Sequence, residues 1–518
     1  MNGACVRTVW AGALAVCALA AASDPGHFPQ GDARTGGMRH LCLVYHGQQR
    51  RPAWTEEQLL PYVARVDAEG VPRSWLFDSF LLIEFATDDG KQLYHYDPKR
   101  AQPGPADWQW LADAWFRRDT GLIGLERALE RAGTALGDPA RVVNVVITLP
   151  VPEPQAGVFG VLPGGGAPLD FSRPADRMAA LRWYMDTVRA RFDAAAYRHL
   201  RLEGFYWTGE SVSPDLEGTV RGTADRCHAG GLRLYWIPYF SARGTAQWRE
   251  LGFDAMMLQP NYFFEGDGGI ARLALAARRA RAYGSGVEIE FDGRALRSAE
   301  HRQRLLDYLD AGARYGWQAG ALTGWYEGGG ALGLLARDPD PAVRALYDAV
   351  CDYVQNRRVP GDVERLPALP EPPAPRGDNL ALASRGAKVT GALDNGNPDL
   401  APGKMLDGDT SGYSGSSGLT WFSIPGSVTV ELPETARVAE TRILLFDLDG
   451  RTYTYTVETS ADGQIWEPAA DHRADPVHGW QADVFSPRAA RFLRLTGLTN
   501  STGQPLMQVV EFEAYPAG

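Results

Sequence analysis

Cysteine is scarce: the chain has five in 518 residues, and past residue 22 only Cys42, Cys227 and Cys351 remain. An odd number without a CxxC pair argues against a structural zinc site and allows at most one disulfide, so buried free thiols are expected. Nine histidines occur without HxH or HExxH spacing, which argues against a catalytic metal. No GxSxG follows a candidate strand, so the strained elbow of serine hydrolases is missing. No Gly-rich phosphate loop follows the first candidate strand, where Tyr45-His46-Gly47-Gln48 stands instead. No basic run offsets a net charge of −11, and binding to nucleic acid needs concentrated Lys and Arg, so no nucleic-acid partner is expected. Beyond residue 22 no apolar run rivals the ~20 residues needed to cross a bilayer, so no transmembrane anchor is expected in the mature chain.

Aromatic and apolar material, by contrast, is plentiful. Hydrophobic residues make up 45% and charged residues 22%, an ordinary balance for globular domains with large cores. Fifteen Trp and twenty Tyr serve mostly as core, while a minority can offer flat faces to the C–H surfaces of sugars. The start carries Arg7 before the apolar run 9–22, which ends in small residues. That pattern predicts a Sec-type signal peptide over 1–22, cut near Ala20 to Ala22, and a secreted, periplasmic or cell-surface protein. The run is short for an anchor, and Val16 before Cys17 is bulkier than lipidation favours.

Prolines 360, 367, 370, 372, 373 and 375 crowd one stretch and predict an extended linker over 358–378. Upstream, over 38–357, short β-rich runs alternate with longer amphipathic stretches: 39–46, 74–86, 141–150, 199–208, 232–240, 253–262, 286–292 and 320–327. Eight parallel strands joined by helices predict the α/β class and a (β/α)8 TIM-type barrel. Downstream, over 379–518, alternating strands without long helices, such as Thr452 to Thr459, predict an all-β sandwich.

In such a barrel the reacting groups gather where strands end. The fourth run ends Tyr206-Trp-Thr-Gly-Glu210, which sets an acid beside aromatic residues, a setting that keeps a carboxyl protonated for use as a general acid. The seventh reads Val287-Glu-Ile-Glu-Phe-Asp292, and alternation puts Glu288, Glu290 and Asp292 on one face, toward the barrel interior or mouth. Glu210 and Glu290 are therefore the candidate catalytic pair, because cleavage of a glycosidic bond uses two flanking carboxylates. Further mouth candidates for holding a sugar are His46, Asp78, Trp207, Tyr239, Gln259, Asn261, Tyr262, Glu288, Trp325 and Glu327. The bland alternative makes Glu210 a surface acid and pairs Glu288 and Glu290 with a buried arginine such as Arg233.

With Leu43-Val-Tyr-His46, Tyr206-Trp-Thr-Gly-Glu-Ser211, Gln259-Pro-Asn-Tyr262 and Val287-Glu-Ile-Glu-Phe291, the barrel segment resembles the domain of unknown function 4855 family, which carries no settled activity. A wider resemblance, to glycoside hydrolases with the acid on strand four and the nucleophile on strand seven, implies the same roles for Glu210 and Glu290 by position. Asn379-Leu-Ala-Leu-Ala383, Met405-Leu-Asp-Gly-Asp-Thr410, Trp421-Phe-Ser423, Ser460-Ala-Asp-Gly463 and Val510 to Tyr515 make 379–518 similar to the factor 5/8 type C, or discoidin, family, which includes carbohydrate-binding module family 32. That resemblance implies carbohydrate as partner and a structural calcium drawing on Asp407, Asp409, Thr410 and Glu511, with an insertion over 412–420 departing from the compact pattern. No cofactor is expected for catalysis. The reading that results is a glycoside hydrolase targeted by a sugar-binding module; the alternatives are a non-catalytic glycan-binding surface protein and a polysaccharide lyase or transferase.

Overall fold

The computed structural model describes residues 26–240, 242–264, 269–361, 363–367, 373, 376–394, 396, 400–410, 413, 418–447 and 450–517. The segment 1–22, read as a signal peptide, lies outside them.

Eight strands form the first core: β1 His40–Tyr45, β2 Ser79–Ile83, β3 Val143–Leu149, β4 Leu200–Trp207, β5 Arg233–Trp236, β6 Ala255–Leu258, β7 Gly286–Glu290 and β8 Thr323–Tyr326. Neighbours in sequence pair in parallel, and β8 returns to β1 with His40 opposite Thr323, closing the barrel. Every residue of β1, β2, β3 and β7 is buried, as expected where helices cover one face and the interior fills the other. The covering helices are punctuated locally. Thr55 and Gln58 form a capping box at Glu56–Val63, Ser298 caps Ala299–Tyr315, and Leu122–Leu136 stops at Gly137 in the left-handed region.

The run 74–86 proves to be two pieces. Pro72–Trp75 pairs with Ala64–Val66 in a small hairpin outside the barrel, and β2 begins only at Ser79. The strand bounds are otherwise shorter than the apolar runs, because loop residues such as Ile237 and Phe240 are buried as well. The N-terminal end of the barrel is covered by the segment before β1, where the Phe28 N–H donates to Ser285 and Leu322 donates back to Phe28. Cys42, Cys227 and Cys351 are buried free thiols.

Past the barrel, β9 Lys388–Thr390, β10 Thr420–Ser423, β11 Gly426–Leu445, β12 Tyr453–Ser460, β13 Glu467–Asp471, β14 Trp480–Asn500 and β15 Leu506–Pro516 pair antiparallel in the order β10-β15-β11-β14-β12-β13, with β9 on β11. Register shifts let the long β11 and β14 bend around a core that includes Val428, Val430, Leu493 and Phe512.

The two cores meet. Phe240 and Leu275 of the barrel pack with Tyr413, Leu444, Phe446 and Val510 of the β domain. From helix Ala271–Tyr283, Arg278 reaches the buried Asp447 at 3.2 Å and Tyr413 at 2.9 Å, and Arg279 donates to the Phe240 carbonyl at 2.7 Å. The described part of the linker is no free spacer. Gly361 donates to Asp310, and Tyr315 donates to the Pro367 carbonyl, so it follows helix Ala299–Tyr315.

Candidate functional site

A cavity of about 410 Å³ opens at the C-terminal ends of the barrel strands. Leu43, Tyr45, Ile83, Phe85, Tyr206, Ile237, Tyr239 and Phe264 give its apolar and aromatic walls, with Tyr326 on β8. Glu210, Gln259, Asn261, Glu288 and Glu290 supply the convergent polar groups.

Glu210 is held by the backbone around it. Thr208 donates to the Leu149 carbonyl at 2.5 Å, Trp236 donates its indole N–H to the Gly209 carbonyl at 2.7 Å, and the Tyr239 N–H donates to Glu210 itself at 3.3 Å. Its carboxyl receives the Gln259 amide at 3.3 Å, and the same amide is anchored on the Ile237 carbonyl at 2.9 Å. Burial pushes the Glu210 carboxyl above the usual range, and the Gln259 hydrogen bond offsets part of that.

Glu290 ends β7 and is better supplied. One oxygen accepts the Tyr308 O–H at 2.5 Å and the Asn261 N–H at 2.5 Å. Tyr308 comes from helix Ala299–Tyr315, and Asn261 sits at φ 56, a left-handed conformation that asparagine tolerates. Burial raises the Glu290 carboxyl, these two donors lower it, and the charge of Glu210 raises it again. Glu288 lies two residues earlier on the same face. It is buried, its Oε1 has no hydrogen-bond partner among the described residues, and burial together with the charges of Glu290 and Glu210 lifts its carboxyl well above the ordinary value.

Thus Glu210, Glu288, Glu290, Tyr239, Gln259 and Asn261 come together on one cavity. Six other sequence candidates do not line it. Asp78 precedes β2 at the opposite end of the barrel, where it accepts the Arg39 N–H at 3.1 Å and the His40 N–H at 3.3 Å. His46 turns away from the mouth and donates Nε2–H to the Ala114 carbonyl at 2.9 Å; burial lowers its ring to about 4, so it is neutral. Trp207 takes the strand face alternate to Tyr206, and Trp325 packs outward against Phe77 and Tyr353. Tyr262 stands behind the cavity, its O–H on Asp307 at 2.7 Å. Glu327 caps helix Ala331–Arg337, accepting the Gly330 N–H at 2.6 Å, the Leu332 N–H at 3.0 Å and the Tyr62 O–H at 2.9 Å. Asp292 leaves the acid face because β7 ends at Glu290; its side chain accepts the Arg294 N–H instead. Arg233, the alternative partner for the strand-seven acids, pairs with Glu203.

Tyr45, Tyr206, Tyr308 and Tyr326 were not singled out from sequence. The rings at 45, 206 and 326 line the cavity, and Tyr308 supports Glu290 from a helix. For Tyr206 and Tyr45 the available signal was parity along a strand.

In the β domain, Glu511 tests the implied calcium. Its Oε2 accepts the Gly408 N–H at 3.1 Å, Oε1 has no partner among the described residues, and burial with the charges of Glu513, Asp407 and Asp409 pushes it up to about 9. An orphaned hard oxygen among acids fits a hard cation. Asp407, however, is engaged by Lys404 at 3.0 Å, and among the described residues no group of three or more His, Cys, Asp or Glu could hold an ion. Thr410 and Asp409 follow in the same turn.

Comparison with known families places the geometry. The model of the domain of unknown function DUF4855 matches residues 40–352, the span of the barrel and its site. The chain belongs to the DUF4855 family. The F5/8 type C domain model matches residues 388–512, so the DUF4855 barrel is followed by a discoidin-type β domain. BTB/POZ domain-containing protein 9 of Homo sapiens is 34% identical over 110 residues, covering 21% of this chain and 18% of that protein. Its Drosophila melanogaster counterpart is 26% identical over 244 residues, 47% of this chain and 30% of that protein. The chain therefore spans less than a third of these curated relatives. Similar solved structures include the CpGH89CBM32-5 module from Clostridium perfringens in complex with GalNAc-beta-1,3-galactose, at 16% identity and TM-score 0.22, covering 26% of this chain and 99% of that one. The family 89 glycoside hydrolase from Clostridium perfringens in complex with 2-acetamido-1,2-dideoxynojirmycin matches at 20% identity and TM-score 0.22, over 27% of this chain and 15% of that one.

Proposed function

We propose that this DUF4855 protein is a secreted glycoside hydrolase acting on an extracellular polysaccharide or glycan, with Glu210 as general acid and Glu290 as nucleophile or base. The observation that carries the reading is the unequal hydrogen bonding of two carboxyls on one cavity, the buried Glu290 and the half-buried Glu210. Burial raises both carboxyls, Glu290 to about 7, but Glu290 has two short donors that hold it and favour its anion, whereas Glu210 has one amide contact at 3.3 Å. That difference in hydrogen bonding suits Glu290 as the group that attacks or activates water and Glu210 as the one that protonates the leaving oxygen. Aromatic walls beside these acids suit stacking on a sugar ring.

The F5/8 type C match supports a sugar-binding role for the β domain, which would raise local substrate concentration. A structural calcium drawing on Asp407, Asp409, Thr410 and Glu511, with Lys404 competing for Asp407, belongs to the same proposal and takes no part in the reaction. The test uses the full chain and a responsive glycan. Glu210→Gln and Glu290→Gln should each lower turnover by about 10²–10⁴-fold while glycan binding and thermal melting persist. Unchanged turnover would remove both assignments; glycan binding without any product from the parent protein would favour the non-catalytic alternative.

A further inference from the structure

The lining of the cavity carries three carboxyls and, among the described residues, no Lys, Arg or His. Cations do stand against the lining residues, among them Arg294 over the Phe264 ring at 5.1 Å, where it is paired with Asp292. Arg51 is committed to Glu84 through two contacts of 3.0 Å and lies over the outer Tyr45 ring, and Arg272 acts on Glu290 from helix Ala271–Tyr283. Two carboxyls are enough for cleavage of a glycosidic bond. Glu288 is the third, and the reaction leaves it without a task.

Glu288 is also the acid least provided for. It is 3% exposed, it lines the cavity, and among the described residues its Oε1 has no hydrogen-bond partner. An unsatisfied buried polar atom is costly, and one that faces a cavity calls for a donor from what enters that cavity, a water, an ion or a ligand. Burial disfavours the charged form of Glu288, and a cationic donor is what restores it beside two further acids; that donor has to be compact to reach a residue deeper in the barrel than Glu290. A primary ammonium, with three N–H donors on one atom, meets both conditions. A uronic or sulfated sugar would bring negative charge to a lining of acids that, among the described residues, offers no Lys, Arg or His to pair with it. An N-acetyl group keeps a single N–H donor, loses the charge, and adds a methyl and a carbonyl acceptor beside the acids.

We propose that the cavity selects an amino sugar bearing a free ammonium, received by Glu288. The inference rests on the hydrolase reading for cleavage, but its binding component stands independently.

The experiment measures affinity of the full chain for matched glucosamine and galactosamine oligosaccharides, free-amine and N-acetylated, by calorimetry, with products followed by mass spectrometry. The wild-type protein should bind a free-amine series at least tenfold more tightly than its N-acetylated match. Glu288→Gln, which keeps shape and removes charge, should reduce that preference tenfold or more, and Glu288→Asp should reduce it less. Since the β domain is unchanged in these variants, any loss reports on the barrel. Equal affinity for both series, or a preference unaltered in Glu288→Gln and Glu288→Asp, would overturn the inference. Cleavage of an N-acetylated or neutral glycan without any free-amine preference would sink this inference and keep the hydrolase. Free-amine binding that depends on Glu288 but yields no product would do the reverse.

Discussion

The Tyr308 O–H and the Asn261 N–H meet on the same Glu290 oxygen, each at 2.5 Å, and both favour the charged carboxylate. Removing one raises the proton affinity of Glu290. A hydrogen bond to a charged group is worth about 1.5–3 kcal/mol, which corresponds to roughly one to two pH units. Because the nucleophile or base must be ionised, Tyr308→Phe should move the acidic limb of kcat/KM upward by that amount. A pH–rate profile checks this, and an unmoved limb would remove Glu290 from the ionisable pair. The residue scale also shows where sequence reading stopped. Glu288 and Glu290 could be assigned to the inner face because Val287, Ile289 and Phe291 alternate with them. Tyr206 and Trp207 are both aromatic, so no polarity contrast marked which of the two turns inward.

At the scale of elements, the apolar runs revealed all eight barrel strands, since parallel strands buried on both faces are near-continuous in hydrophobic residues. They concealed the ends. Leu76 and Phe77 are buried like a strand, although they join a hairpin to β2, and no Gly or Pro marks the break. Asp78 was therefore read at the wrong end of its strand. Glu327 was read as a sugar ligand, yet its carboxyl caps a helix, an assignment that needs Tyr62 and the Gly330 N–H in three dimensions. Glu327→Ala should destabilise the protein by about 1–3 kcal/mol, read by denaturant unfolding, with kcat retained in the folded fraction. Glu511 gives a test in the β domain. Its folded proton affinity sits at about 9 against 4.5 for the free side chain, so unfolding releases a proton between those pH values. Raising pH through that window favours the unfolded state. Melting temperature should fall from pH 5 to 9, the fall should shrink in Glu511→Gln, and calcium should raise the melting temperature most at the alkaline end. A calcium response unchanged in Glu511→Gln would remove the cation from this site.

At the scale of the whole molecule, the linker and the domain contact carry information that composition lacked. The proline-rich stretch predicted two separately folding domains, but nothing in it showed that Phe240, immediately after the cavity residue Tyr239, would pack into the β domain. The contact is polar as well as apolar, because Asp447 is buried against Arg278 and Tyr413. Removing one partner of a buried pair costs about 3–5 kcal/mol. Arg278→Ala should therefore separate the melting of the two domains in calorimetry, and a single unshifted transition would mean that the interface contributes little. The central claim concerns water and one bond. The most direct measurement digests a responsive glycan in heavy-oxygen water and weighs the products. Hydrolysis at the Glu210–Glu290 cavity predicts one heavy oxygen per bond broken, absent with Glu290→Gln; products without the label, or label that persists in that variant, would contradict it.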